Sequence, residues 1–314
     1  MTHPTQPSPL LVLLGLVTIY LVWGSTYLAI RVAVNTMPPF LMASCRFLVA
    51  GLVVALVIQM LRGFHLTSRQ WFDNAIVGGF MLLGGNGLVS WAEKSIPSGI
   101  ATLIVSLSPL FFVFAEWGVS WWRQDPSKTA RPNGLTFVGL ALGTLGLCIL
   151  VGPSFRLDTK SKLESLSVLA VILACICWTI GSLYSRYAKN AADPFTGSAA
   201  QMLCGGVWLL LVSLLFGELR TFSITNVSSE SIAAWLYLVV AGSLIAFTTF
   251  VWLMKHCSPT IVSTYAYVNP IVAVFLGWFL LNESVSPHLV IASIAIVLGV
   301  ALITISKKQS KSRI

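Results

Sequence analysis

Residues 10–30 read LLVLLGLVTIYLVWGSTYLAI, twenty-one positions without a charge, closed by Arg31. A bilayer's hydrocarbon core is about 30 Å thick, and roughly 20 apolar residues in a helix span it. Outward from this stretch the composition repeats the message. Of 314 residues, 56% are hydrophobic and 9% charged, and the mean hydropathy is +0.87. A soluble domain is about a quarter charged. A chain this poor in charge is neither a soluble enzyme, nor a secreted disulfide domain, nor a disordered protein. It is a polytopic membrane protein.

Charges divide the rest of the chain into further windows: Asp73 to Glu93, Lys94 to Glu116, Arg131 to Arg156, Glu164 to Arg186, Asp193 to Glu218, Glu230 to Lys255, Lys255 to Glu283 and Glu283 to Lys307. The window from Phe40 to Leu61 carries one charge inside it, Arg46. None alternates with the period of two that a membrane barrel requires. The expected fold is all-α, with ten transmembrane helices. Twelve of the nineteen lysines and arginines then fall at the N-terminal side, in even-numbered loops and in the tail, against six on the other face. The positive-inside rule places both termini in the cytoplasm. The net charge of +9 therefore marks topology, and no nucleic acid is expected as a partner.

The chain also resembles itself. A shift of 155 carries Trp23 onto Trp178, Arg31 onto Arg186, Pro39 onto Pro194 and Phe40 onto Phe195. A shift of 161 carries Trp91 onto Trp252, Lys94 onto Lys255 and Pro109 onto Pro270. An offset held across helices and their loops marks a duplicated unit. The expected division is a first repeat over 1–151, a loop over 152–164, a second repeat over 165–306 and a basic tail over 307–314. Five helices per unit is an odd number, so the second unit enters the membrane inverted. Inverted repeats are a construction of many secondary transporters, and they also occur in channels.

Trp23-Gly24-Ser25-Thr26-Tyr27, Arg46-Phe47, Pro97-Ser98-Gly99 and Tyr265-Ala266-Tyr267-Val268-Asn269-Pro270 resemble the EamA-type transporters, a ten-helix branch of the drug/metabolite transporter superfamily. The similarity is greatest to bacterial inner-membrane members. It covers residues from about 10 to 305. The resemblance implies two inverted five-helix repeats around a central cavity and export of small metabolites or amino acids.

Polar groups within the apolar windows are the candidate cargo contacts. Tyr265, Tyr267 and Asn269 precede Pro270, which removes a backbone N–H and frees the carbonyl of Ala266. Ser108 precedes Pro109, which frees that of Val105. In lipid such carbonyls need another donor, so these faces point into protein or a wet cavity. The alternative is that both prolines are packing kinks. Trp23 and Tyr27 share a face able to stack on an organic ligand, or simply to pack. Asn86 sits among Gly84, Gly85 and Gly87, where it either lines a cavity or bonds a neighbouring helix.

Two charges lie within spans. Arg46, about seven residues inside helix 2, either attracts a carboxylate or ties helices together, the second being the expected role. Glu116 lies near a helix end beside Trp117 and is expected to reach the interface. Gly139 and Gly143, with Ala295 and Gly299, form small-residue faces that pack within the chain or join two copies as a homodimer.

Catalysis has no visible seat. No Gly-x-x-x-x-Gly-Lys-Ser/Thr loop is present, His3, His65, His256 and His288 have no metal-ligand spacing, and no nucleophile–base set is found. No cofactor or metal is expected. The expectation is a multi-pass inner-membrane protein that moves a small-molecule substrate, recognised by tyrosines, tryptophans and amides. A passive channel is the first rival, and a membrane-embedded enzyme the second.

Overall fold

The computed structural model describes residues 8–122, 134–151, 159–188, 193–257, 259–282 and 285–311. Among these residues every regular element is a helix. In chain order the long ones are α1 (Pro9–Ala33), α2 (Pro39–Arg62), α3 (Ser68–Ala92), α4 (Ser98–Val105, resuming at Ser108–Trp122), α5 (Gly134–Val151), α6 (Thr159–Tyr187), α7 (Pro194–Leu215), α8 (Ser229–His256), α9 (Pro259–Val262, resuming at Tyr265–Leu281) and α10 (Pro287–Lys311), with two short turns, Glu218–Thr221 and Ile224–Asn226, between α7 and α8. Seven, α1 to α4 and α6 to α8, are long and apolar enough to cross a membrane, and α9 and α10 hold shorter apolar stretches.

The helices start where the sequence supplies acceptors for the first free N–H groups. Ser8 accepts from Leu11 N ahead of Pro9. Thr67 and Gln70 form a reciprocal capping box, and Asp193 accepts from Thr196 N at 2.8 Å. Outward faces carry exposed leucines such as Leu13, Leu52, Leu56 and Leu169. Such a surface suits lipid, and it leaves the small and polar residues for contacts between helices.

Those contacts obey the repeat. A methyl added at Gly51 would meet Leu203 Cγ at 3.0 Å, and one at Gly206 would meet Leu48 Cγ at 2.7 Å. The shift of 155 exchanges the two contacts, as a two-fold relation between α2 and α7 demands. Arg31, at the end of α1, donates to the carbonyl of Glu93 at the end of α3. Arg186, at the end of α6, donates to the carbonyl of Met254 near the end of α8 at 3.2 Å, and to that of Cys257 at 2.8 Å. The shifts of 155 and 161 carry one clamp onto the other. Elsewhere Gly299 of α10 meets Gly139 and Gly143 of α5 so closely that a methyl would lie 2.5 Å from Gly139 O. Those small residues pack within the chain.

Both α3 and α8 relax into π-helical turns midway, over Gly79–Gly87 and Leu238–Phe247. The shift of 161 overlays most of the two segments. Such turns widen the helix locally and often mark functional sites. The break in α4 falls beside Pro109, where Ser108 Oγ donates to the freed carbonyl of Val105 at 2.6 Å. In α9 the break comes earlier, at Ser263 and Thr264, and Pro270 sits inside the resumed helix. There Ala266 N bonds to Ser263 O at 3.1 Å in a tighter turn.

Candidate functional site

The two sets of helices meet around a cavity of about 60 Å³, several times the space one water needs. Trp23, Thr26, Tyr27 and Ile30 of α1 line it, facing Arg46 and Phe47 of α2. The π turn of α3 brings Gly85 and Asn86, with Val89 a turn further on. Val105 and Ser108 come from the break in α4, and Ala174, Cys175 and Trp178 from α6. Gly242 and Phe247 enter from the π turn of α8, and Tyr265 from the start of the longer part of α9.

Aromatic rings form the cavity's framework. Trp23 meets Trp178 edge to face, with centroids 5.4 Å apart and planes at 84°. It meets Tyr265 at 4.9 Å and 85°. Such edge-to-face pairs hold orientation as well as apolar area. Trp23 and Trp178 are repeat equivalents, so this contact lies where the two halves touch. The indole N–H of Trp23 points to the carbonyl of Gly242 at 3.5 Å.

The structure thus brings Trp23, Tyr27, Asn86, Ser108 and Tyr265 together around one space. Asn269 is fully buried but does not line it. With its amide oriented by its neighbours, Asn269 donates to Tyr265 O at 3.0 Å and Tyr20 O at 3.1 Å. Asn269 therefore ties α9 to α1. Tyr20 and Thr264 hydroxyls make a second tie between these helices, at 2.5 Å. The side chain of Tyr267 lies outside the described residues. Pro109 adjoins Ser108 at the wall, whereas Pro270 follows Asn269 away from it. Glu116 is half-buried further along α4 and takes no part in the lining.

Arg46 is the only charged side chain among the described lining residues. It is 3% exposed, and its Nε donates to Ser243 Oγ of α8 at 2.8 Å. The guanidinium also lies 4.6 Å from the centre of the Phe47 ring.

Sequence reasoning passed over Trp178, Thr26, Gly242 and Ser243. Trp178 was reachable, because the shift of 155 assigns it the place of Trp23. Ser243 and Gly242 carry no signal of their own in an apolar run.

Comparison with known proteins places the chain. Residues 10–152 and 165–305 each match the EamA-like transporter family. An inner membrane transporter of Escherichia coli K12, YedA, is 35% identical over 298 residues, covering 93% of this chain and 90% of its own. The transporter YoaV of Bacillus subtilis is 22% identical, covering 96% of this chain and 99% of its own. The protein PecM of Dickeya dadantii is 27% identical, covering 84% and 82%. A solved crystal structure shares the fold at a TM-score of 0.69 and 24% identity, covering 96% of this chain and 99% of that one. Two matched repeats over a bundle of apolar helices make this a multi-pass membrane protein, and the chain belongs to the EamA-like transporter family of the drug/metabolite transporter superfamily.

Proposed function

We propose that the protein is a secondary transporter that exports a small metabolite, amino acid or amphipathic compound by alternating access. The observation that carries this reading is the position of the cavity. It lies where Trp23 of one repeat meets Trp178 of the other, so that motion of one half against the other changes the walls on both sides. In this reading α1 to α10 are ten crossings in two inverted repeats, bounded as 1–151 and 165–306. Both termini are cytoplasmic, with the basic tail over 307–314, in a bacterial inner membrane. Trp23, Tyr27, Asn86, Ser108 and Tyr265 touch cargo, while Asn269, Pro109 and Pro270 shape the helices that carry those residues.

Counterflow in proteoliposomes tests the mechanism. A carrier accelerates uptake of labelled substrate when unlabelled substrate is trapped inside. A channel shows no acceleration, and that result overturns alternating access. Labelling of a single cysteine placed at Lys308 tests orientation. Modification only after the inner membrane is permeabilised is the expected result, and modification of intact spheroplasts overturns it.

A further inference from the structure

The charge in the cavity wall is more selective than the aromatic framework around it. Four other arginines among the described residues have their guanidinium taken up by acceptors of the chain. Arg31 and Arg186 hold backbone carbonyls, Arg62 pairs with Asp193, and Arg69 pairs with Asp73. Arg46 differs from all of them. It is buried in the span, it bonds one neutral hydroxyl through Nε, and no carboxylate among the described residues pairs with it. A guanidinium has five N–H donors in a planar fork, so the fork's far edge is left to the cavity that Arg46 lines.

A neighbour keeps that edge clear. Gly242 lies beside Nη2, and a methyl there would approach it to 2.8 Å. A buried cation in a membrane without an anion is costly, and the partner best matched to a planar fork is a carboxylate held through two parallel bonds. Asn86, Ser108 and Tyr27 around the same space are neutral, so no fixed negative charge in the described wall competes for Arg46 or calls for a cationic group on the cargo.

We infer that the cargo is an organic acid whose carboxylate pairs with the Arg46 fork, its apolar body lying against Trp23 and Trp178. This rests on the reading of the cavity as the transport site. It adds what that reading lacks, a chemical class. An anionic group is the recognised feature, and an ammonium group is not required.

The test uses matched probes on the purified full-length protein: acetate with acetamide, benzoate with benzamide, phenylacetate with phenylacetamide, and phenethylamine as the cation. Binding is followed by thermal stabilisation and by quenching of tryptophan fluorescence. At least one acid is expected to bind about tenfold or more tighter than its amide, and the cation more weakly than either. R46Q is expected to erase the acid preference while keeping amide binding. R46K, which keeps the charge but not the fork, should retain part of it. G242A keeps the charge and crowds Nη2, so it should also lower acid binding, which guards against a misfolded R46Q. Equal binding of acids and amides by the wild type, or an acid preference that survives in R46Q, overturns the inference. Counterflow of the same probes separates the two readings. Exchange of amides or amines as fast as acids, unchanged in R46Q, leaves a transporter and removes the carboxylate. An acid preference in binding with no exchange of any probe above protein-free liposomes leaves the carboxylate site and removes transport.

Discussion

The first half of the chain ends its opening helix with Arg31 on the carbonyl of Glu93, and the second half ends the matching helix with Arg186 on that of Met254. About two turns into the next helix the halves part company. Arg46 occupies a position whose repeat equivalent is Gln201, a buried neutral amide that reaches Ser185 Oγ at 3.3 Å. The repeated arginines sit at helix ends, where a cation meets unpaired carbonyls at the negative end of the helix dipole. The unrepeated one sits in the cavity wall. What the halves share builds the bundle, and what they do not share gives the cavity its chemical sign.

The strongest way to break this comparison is at the helix crossings. Gly78 of α3 meets the backbone of α7, with an added methyl 2.6 Å from Gly205 N and 2.7 Å from Gln201 O. Gly78→Ala has no flexible side chain to displace, and thermal unfolding in detergent should show a loss of about 2–3 kcal/mol. Gly51→Ala meets the side chain of Leu203 as well as its backbone N at 3.0 Å and should cost less. Equal losses would mean that α3 and α7 separate freely.

Moving the cavity charge to the other half is the next test. The double variant R46Q/Q201R keeps the net charge but shifts the fork to the equivalent helix. Acid binding in the probe assay should stay about tenfold below wild type, because Ser243 and Gly242 face Arg46 and not residue 201. Recovery of binding would make the two halves interchangeable at this point.

The clamps come third. Arg186→Ala removes two bonds to carbonyls, and Arg31→Ala one. Unfolding should show losses of about 1 kcal/mol for the first and less for the second, in keeping with the modest worth of polar contacts in membranes. A larger loss from Arg31→Ala would reverse the order. The smallest effect belongs to the α4 break, where Ser108→Ala leaves the carbonyl of Val105 without its 2.6 Å donor. A loss of about 0.5 kcal/mol is expected, together with weaker probe binding if the hydroxyl also meets cargo.

The bundle was readable in the sequence because lipid imposes a simple rule: uncharged runs of fixed length between charges. Duplication was readable because Trp23, Arg31, Pro39 and Phe40 held one offset. Azimuth was harder. Depth along a span follows from counting residues, but the direction a side chain takes depends on neighbouring helices that sequence periodicity does not order. Arg46 was thus placed at a depth of roughly 10 Å at 1.5 Å per residue, and its role was expected to be a tie between helices. It does bond α8 through Ser243, yet it also faces the cavity. Asn269, read from the sequence as a cargo contact, lies outside the cavity lining and bonds Tyr20 O of α1. The π turns left no trace in the apolar pattern, since every position of the two segments except Asn86 is hydrophobic or small.

The arginine clamps leave a one-sided record in the sequence. Their donors are side chains, so residues 31 and 186 must both be able to reach and donate. Their acceptors are main-chain oxygens, which every amino acid supplies, and so Glu93 and Met254 fill matching places without chemical likeness. A saturation mutagenesis scan read only through these bonds would find two intolerant arginines and three indifferent acceptors, Glu93, Met254 and Cys257. Searches for co-varying pairs would pass over both clamps, although each fastens the end of a helix in its half of the molecule.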